Sequence, residues 1–214
     1  MKKIMFNDKY GLTRAVLDGN KTMTRRIIKC PKEIDGKWVS GLAIVRHPKS
    51  REVIECLALD DEGGEISNIV PRYKVGEIVA VAQKYKDFRW PAPQRSDFQE
   101  ILHSAGWNNK MYVRADLMPY QVRITSIRIE RLQDISDDDV YKEGFSKEVV
   151  NNGWGNAAYH WEAILVYYDG LGRSKEIRSC NPREAYATLI DKVSGNGTWA
   201  NNPYVFAYSF ELVK

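Results

Sequence analysis

Cysteine is scarce in this chain, and its few occurrences follow neither a disulfide nor a zinc pattern. The cysteines are Cys30, Cys56 and Cys180. Their number is odd and none belongs to a CxxC pair, which excludes a zinc ribbon and a disulfide framework. We therefore expect reduced thiols in a cytoplasmic protein.

Histidine is equally rare and scattered. The three histidines are His47, His103 and His160. Their spacing matches no metal-binding motif, so the sequence predicts neither a metal site nor a cofactor.

Long apolar runs and extreme charge are also absent. No run of about 18 apolar residues occurs, so we expect neither a signal peptide nor a membrane-spanning segment. The net charge of +4 and the pI near 8.8 permit an anionic partner without requiring one. A chain of 214 residues is long enough for one domain with its own apolar core.

The strand and helix signals predict an α+β fold, a mixed β-barrel with peripheral helices. Strands are expected at 38–45, 52–59, 78–82, 120–132 and 204–213, and helices begin near Asp8, Ser136 and Asn181. The runs at 38–45 and 52–59 should pair as a hairpin. Strands do not alternate regularly with helices, so a doubly wound sheet is excluded.

Particular residues predict how these elements begin, bend and end. A change of apolar phase near Thr125 indicates a bulge in the strand 120–132. Ser136 with Asp139 resembles a capping box, and Asn181 before Pro182 is typical of a helix start. Alternating aromatic residues in 204–213 predict that one face of the last strand packs on the core, including Leu212.

The segment Gly19–Arg26, which follows the first expected helix, carries the most specific pattern in the chain. It contains G-x-K-x-x-x-x-R. Matching blocks follow in Lys74–Glu77, Val122–Arg131, Leu132–Gly144 and Asn202–Glu211. In this order and spacing the blocks resemble the ASCH domain, a family of the PUA-like class, and the last block is similar to phage and prophage members.

The resemblance implies a small, partly open PUA-like β-barrel that handles RNA or a modified nucleoside. It makes residues 1–214 a single domain with insertions at about 30–70, 86–118 and 146–180. Some small family members hydrolyse the acetyl amide of N4-acetylcytidine with a lysine, a threonine three residues later and a glutamate from a short helix. The matching positions here are Lys21, Thr24 and Glu143, while the nucleoside-binding positions expected around them are Gly19, Thr22, Arg25 and Arg26.

Amide hydrolysis without a metal requires a nucleophile, a base and a proton donor. Thr24 would be the nucleophile, Lys21 the base and Glu143 the proton donor. A lysine that is half neutral at pH 7 needs its pKa lowered by roughly 3 units, near 4 kcal/mol. Lys21 and Thr24 would point to opposite faces of a strand, so they converge only if Lys21 lies in a turn after Gly19.

Other interpretations of the same residues stay open. The basic segment could be a solvated edge strand, or it could bind RNA or a nucleotide without catalysis. Tryptophans in loop-like segments could stack on bases. Those tryptophans are Trp90, Trp107, Trp154 and Trp199. A third class is a phage-type accessory protein with a structural or interaction role, whose protein partner the sequence does not identify.

Overall fold

The computed structural model describes residues 1–49, 53–88, 98–151 and 159–213. Its strands are β1 Lys3–Ile4, β2 Met23–Ile27, β3 Glu33–Ile34, β4 Lys37–Trp38, β5 Gly41–Arg46, β6 Val53–Leu59, β7 Glu65–Asn68, β8 Ile78–Val81, β9 Gln121–Arg131, β10 Ser146–Asn151, β11 Tyr159–Tyr168, β12 Ser174–Ser179 and β13 Tyr204–Val213. Its α-helices are α1 Leu12–Leu17, α2 Phe98–His103, α3 Asp137–Lys142, α4 Pro182–Ser194 and α5 Thr198–Asn201. The expected α+β class is confirmed. Within the described ranges, no helix is long and apolar enough to cross a lipid bilayer.

A five-stranded sheet in the order β1-β8-β9-β13-β2 forms the centre of the fold. Only β1 and β8 run parallel, and the other neighbours are antiparallel. The last strand lies inside this sheet, and other parts of the fold cover both of its faces, because the consecutive residues Val205 and Phe206 are 0% and 6% exposed. The predicted one-sided alternation was therefore incomplete, and Leu212, expected in the core, is 37% exposed near the strand end.

The predicted bulge is confirmed. Ser209 pairs with Ser126, whereas the next residue, Phe210, pairs with Ile124, so Thr125 is the extra residue in β9. A bulge bends its strand and increases the local twist. The longest strand pair of the sheet is therefore bent next to the end at which β2 begins.

Backbone pairing leaves the central sheet open. In the described part of the chain, the edge strands β1 and β2 do not pair with each other, so hydrogen bonding does not close a barrel. A side chain connects the edges instead, because Arg26 of β2 donates a hydrogen bond to the carbonyl oxygen of Met5, just after β1. The two edges thus lie on either side of one guanidinium group.

The three segments expected as insertions contain their own small sheets and turns. The segment 30–70 holds the hairpin β3–β4 and the sheet β5-β6-β7, and 146–180 holds β10-β11-β12. The predicted hairpin is confirmed in β5 and β6, but Trp38 belongs to β4 and is 58% exposed. The segment 86–118 contains α2 and several 3₁₀ turns. Buried residues from both added sheets join the main core, so they rest on the central sheet.

One predicted helix start is wrong, and a second is confirmed without its expected capping box. Asp8 does not cap α1, because Asn7 caps the preceding 3₁₀ turn and α1 starts after Gly11. Ser136 does cap α3 by accepting a hydrogen bond from the backbone N–H of Asp139. The Asp139 carboxylate does not complete a capping box, since it binds Arg25, Arg128 and Lys142. A charged partner outcompetes a neutral backbone N–H for a carboxylate.

Candidate functional site

The link between α1 and β2 places Lys21 outside regular structure. Gly19 ends the helical region with φ of +77°, a conformation that favours glycine. The backbone N–H of Lys21 then donates to the Ala15 carbonyl oxygen over 2.9 Å, and that of Thr22 donates to Lys142 over 2.9 Å. Because β2 starts only at Met23, Lys21 lies in the turn that convergence with Thr24 requires.

The end of α3 brings Glu143 to the same place. Gly144 has φ of +109°, and a Cβ there would lie 3.4 Å from the Cβ of Ala15 and 3.5 Å from that of Lys21. The backbone conformation favours glycine at this position, and the two distances show that the end of α3 lies at van der Waals contact with this turn. The residue before it, Glu143, points its side chain at Lys21.

Lys21 and Glu143 form a buried ion pair. The Lys21 Nζ lies 2.5 Å from Oε2 of Glu143 and donates to the Glu143 carbonyl oxygen over 2.9 Å. The two side chains are only 1% and 5% exposed. Two charges out of water are tolerated only when they are paired and hydrogen-bonded, so each holds the other in place.

Arg25 joins Glu143 to two further carboxylates. Its guanidinium lies 3.2 Å from Glu143 Oε1, 2.9 Å from Asp139 Oδ2 and 2.7 Å from Glu130 Oε1. The Arg25 side chain is 0% exposed. Although it was expected to bind a nucleoside, its donors are directed to these acids, and it positions Glu143 from behind.

The surroundings shift the pKa values of the buried groups. Burial lowers the pKa of Lys21, Glu143 opposes this, and the nearby Arg26 and Arg25 lower it further. Burial also acts to lower the pKa of Arg25, but Glu143, Tyr186, Glu130 and Asp139 outweigh it and the pKa is raised. Arg25 thus stays charged while Lys21 is the cation that loses its proton more easily.

Tyr186 of α4 completes the enclosure of the ion pair. It is 1% exposed, and its hydroxyl donates to Glu143 Oε1 over 3.5 Å. Burial first, and then the Glu143 carboxylate, raise the pKa of Tyr186 well above its ordinary value. The phenol therefore remains a hydrogen-bond donor to Glu143.

A cavity of about 520 Å³ opens beside this ion pair. Five of the predicted residues line it, namely Lys21, Thr24, Arg25, Arg26 and Glu143. Phe6 borders the same space, and its ring centroid is 5.9 Å from Lys21 Nζ and 5.8 Å from the Arg26 guanidinium. The opposite wall is apolar and includes Leu132, Leu189, Ile190 and Val205.

Thr24 is buried at 6% exposure, yet its hydroxyl is not used by the fold. Among the described residues, the Thr24 side chain makes no hydrogen bond. Its oxygen is nevertheless not fully enclosed by protein atoms, and Thr24 lines the cavity. A hydroxyl on a cavity wall with free hydrogen-bonding capacity is available to a ligand.

Gly19 and Thr22 do not line the cavity. Gly19 is exposed and shapes the turn, and the carbonyl oxygen of Thr22 accepts from the backbone N–H of Phe210 over 2.8 Å. Their contribution to the site is made by the backbone, which sets where Lys21 and Thr24 lie.

Several site residues were not predicted from the sequence. They are Phe6, Glu130, Asp139 and Tyr186. Tyr186 was assigned only to the apolar stripe of its helix, and Asp139 only to a cap. Pairing of Arg25 with acids more than 100 positions away leaves no local signal.

Of the four tryptophans expected in loops, the structure describes Trp107 and Trp199. Trp107 packs against a small cluster around Tyr85, and Trp199 packs against Tyr186 with ring centroids 6.2 Å apart. Trp90 and Trp154 lie outside the described residues. Trp107 and Trp199 are thus packing residues.

One group elsewhere has donor atoms suited to a metal ion. His160, Glu162 and Cys180 place one possible ligand atom each within 4.8 Å of one another. The separation of histidines along the chain did not predict this group. Glu162 is already bound by His160 and Arg178, each over 2.7 Å. A metal ion there would have to displace the Arg178 guanidinium from Glu162, so we interpret these contacts as an ion pair between β11 and β12.

The first prediction concerns the buried pair. Glu143→Gln leaves the Lys21 ammonium buried without its counter-charge, so we expect the free energy of unfolding to fall by about 3–5 kcal/mol. Lys21→Met should lower the free energy of unfolding by less, because the Glu143 carboxylate keeps its contacts with Arg25 and Tyr186. Urea denaturation followed by circular dichroism measures both.

The exposed pair Arg14–Asp18 provides the matched control, with N···O of 2.8 Å on a helix surface. Asp18→Asn should lower the free energy of unfolding far less than Glu143→Gln, because water screens an exposed pair. A cost for Glu143→Gln no greater than that for Asp18→Asn would contradict the account of the buried pair.

A second prediction follows from Asp139. Burial acts to raise the pKa of Asp139, but hydrogen bonds from Arg25, Lys142 and Arg128 lower it below its ordinary value. Its stabilising contribution is therefore present above the unfolded pKa and is lost as pH falls through the folded one. We expect the stability difference between wild type and Asp139→Asn to stay constant from about pH 6 to about pH 5 and to shrink as the pH falls below about 4. Urea midpoints across this range test this, and a constant difference would be inconsistent with it.

Comparisons with known proteins give no match for this chain. No protein-family model, curated protein or solved structure matches the chain. The site must therefore be interpreted from its own residues.

Proposed function

We propose that this chain binds a modified nucleoside in the 520 Å³ cavity and hydrolyses the amide of an N4-acylated cytidine. One observation carries the proposal: a buried lysine, hydrogen-bonded to a glutamate, shares a cavity with a threonine hydroxyl that the fold leaves unused. Membership of the ASCH family is part of the same proposal.

The size and lining of the cavity suit a nucleoside. Small-molecule sites usually have volumes of about 300–1,000 Å³, with apolar walls and a few polar groups. Here the apolar wall faces a charged edge formed by Lys21, Arg26 and Glu143. A pyrimidine could lie along the apolar wall with its acyl group directed at the charged edge.

The proposed reaction begins with attack by Thr24. The hydroxyl oxygen forms a bond to the acyl carbon while neutral Lys21 takes the hydroxyl proton. The carbon–nitrogen bond then breaks, and Glu143 gives a proton to the departing amine. Water finally hydrolyses the threonine ester, releases the carboxylic acid and restores Thr24.

The hydrogen bond between Lys21 and Glu143 supplies both required protonation states. If the proton moves from the ammonium to the carboxylate along this contact, the pair becomes a neutral amine and a carboxylic acid. Those are the base and the proton donor that the reaction needs. Burial favours this uncharged form because it removes two charges from a poorly solvated place.

The partly open barrel is also a proposal, supported by the contact between the sheet edges. Arg26 links β2 to the chain just after β1 through the Met5 carbonyl oxygen. In the proposed barrel, this side-chain contact would take the place of backbone pairing between the two edge strands. The cavity then lies at the unclosed seam.

Binding without hydrolysis is a second candidate, and the ion pair itself favours it. As long as Glu143 is ionised beside Lys21, the lysine keeps its proton and cannot act as a base. Arg25 strengthens that state, because it stabilises the Glu143 carboxylate from the other side. The site would then recognise a nucleoside through charge and shape alone.

Substitutions at Thr24 separate the two candidates. Thr24→Val keeps the side-chain shape and removes the nucleophile, so hydrolysis of N4-acetylcytidine should fall at least about 100-fold. Thr24→Ser keeps a hydroxyl and should retain a measurable part of the rate. Cytidine release is followed by chromatography, and calorimetry measures binding by both variants.

The result that would reject hydrolysis is full activity in Thr24→Val, or no cytidine from the wild type at any pH. Binding to Thr24→Val in the absence of any wild-type activity would establish the second candidate instead.

A further prediction concerns Lys21 and pH. Because the proposed active pair shares one proton between Lys21 and Glu143, kcat/KM should fall once the pH rises above the pKa of Lys21, which burial holds below the ordinary lysine value of about 10.4. Lys21→Arg keeps a cation beside Glu143 but cannot lose its proton, so its activity should be lost while nucleoside binding persists. Activity retained in Lys21→Arg would show that Lys21 is not the base.

A further inference from the structure

A second cavity, of about 450 Å³, lies against the same edge strand. It shares Arg26, Ile27 and Lys29 with the first cavity, so these residues form a ridge between the two. Arg26 and Lys29 are exposed on that ridge. A ligand bound in the first cavity can therefore continue into the second only by passing these two cations.

Every charged residue that lines the second cavity is positive. Its charged residues are Lys3, Arg26, Lys29 and Arg72, and none of its lining residues is an aspartate or glutamate. Lys3 donates to the carbonyl oxygens of Met111 and Val113. Burial, followed by repulsion from Arg72, lowers the pKa of Lys3, which reflects the shortage of negative charge here.

Two of these cations have no acidic partner. In the ranges that the structure covers, Arg72 and Lys29 form no ion pair and donate no side-chain hydrogen bond, although Arg72 lies 5.7 Å from the Tyr73 ring centroid. Several exposed arginines elsewhere have an acidic partner: Arg14 with Asp18, Arg114 with Asp116, Arg123 with Glu211 and Arg173 with Asp169. Within the described ranges, this cavity is distinguished by a lining that holds four cations and no acid.

The remaining wall is aromatic and apolar. Tyr73 and Tyr208 lie edge to face with centroids 5.3 Å apart, and Phe206 is 6.2 Å from Tyr208. Both tyrosine hydroxyls are held by the backbone, at Lys3 and Arg72. The rings are only 1–6% exposed, so together with the exposed Val70 they form a rigid, largely apolar floor over which a planar base can pack.

We infer that the second cavity binds the neighbouring nucleotide of a single-stranded RNA, with the connecting phosphate on the Arg26–Lys29 ridge. This inference rests on the proposed function, because it places the acylated cytidine in the first cavity. Cations without acids suit a phosphate, and an aromatic wall suits a base. The substrate is then an acylated cytidine within RNA, in preference to the free nucleoside.

The test uses the full chain carrying Thr24→Val, which cannot turn over the substrate. Its dissociation constants are measured for N4-acetylcytidine and for a short single-stranded RNA with the same nucleoside at its centre. We expect the RNA to bind at least about 10-fold more tightly at moderate salt, with that advantage decreasing as salt rises. Arg72→Ala, added to this protein, should reduce the advantage to less than about 3-fold.

Lys74→Ala is the matched control, since Lys74 is an exposed cation two positions away that does not line the cavity. It should leave the RNA advantage in place. Equal affinities for RNA and nucleoside would overturn the inference and leave the proposed function intact. An equal loss of the RNA advantage in Arg72→Ala and Lys74→Ala would also overturn it, because the RNA would then respond to the net charge of the protein and not to the cavity. Failure of both ligands to bind would reject the proposed function and, with it, the inference.

Discussion

A lysine ammonium cannot stay charged inside a folded protein unless another group replaces its lost water, and Lys21 finds that group in Glu143. The contact joins the turn after α1 to the end of α3, which are 122 positions apart. Gly19 and Gly144 both have positive φ close to this contact. Pairing with β13 then fixes β2, and with it Thr24 and Arg26, directly after the buried pair.

The same interaction imposes a functional constraint. Burial penalises the charged form of Lys21, and the Glu143 carboxylate opposes that penalty. Arg25, held by Glu130 and Asp139, binds the Glu143 carboxylate from the other side and at the same time lowers the pKa of Lys21. A ligand that excludes water from the cavity would increase the effect of burial. Ligand entry would then itself bring the lysine closer to the neutral state that a base requires.

Local chemistry made part of this site predictable from sequence. The glycine before Lys21, the Asn181–Pro182 helix start and the bulge near Thr125 each depend on neighbouring residues alone. The acids around Arg25 were not predictable, because strands and helices distant in sequence deliver them. Asp139 shows the limit most clearly: its spacing from Ser136 is that of a capping box, yet a buried guanidinium takes its carboxylate. Strand patterns likewise do not encode the contact of Arg26 with the Met5 carbonyl oxygen, which links the two edges of the open sheet.

The most direct test of the central claim is a crystal structure of Thr24→Val soaked with N4-acetylcytidine. The account predicts the acetyl carbonyl carbon within about 3–3.5 Å of the residue 24 side chain, in a geometry ready for attack. Lys21 should still contact Glu143, with the pyrimidine along the wall of Leu189 and Ile190. A nucleoside bound with its acetyl group directed away from residue 24, or bound at another surface, would contradict the account.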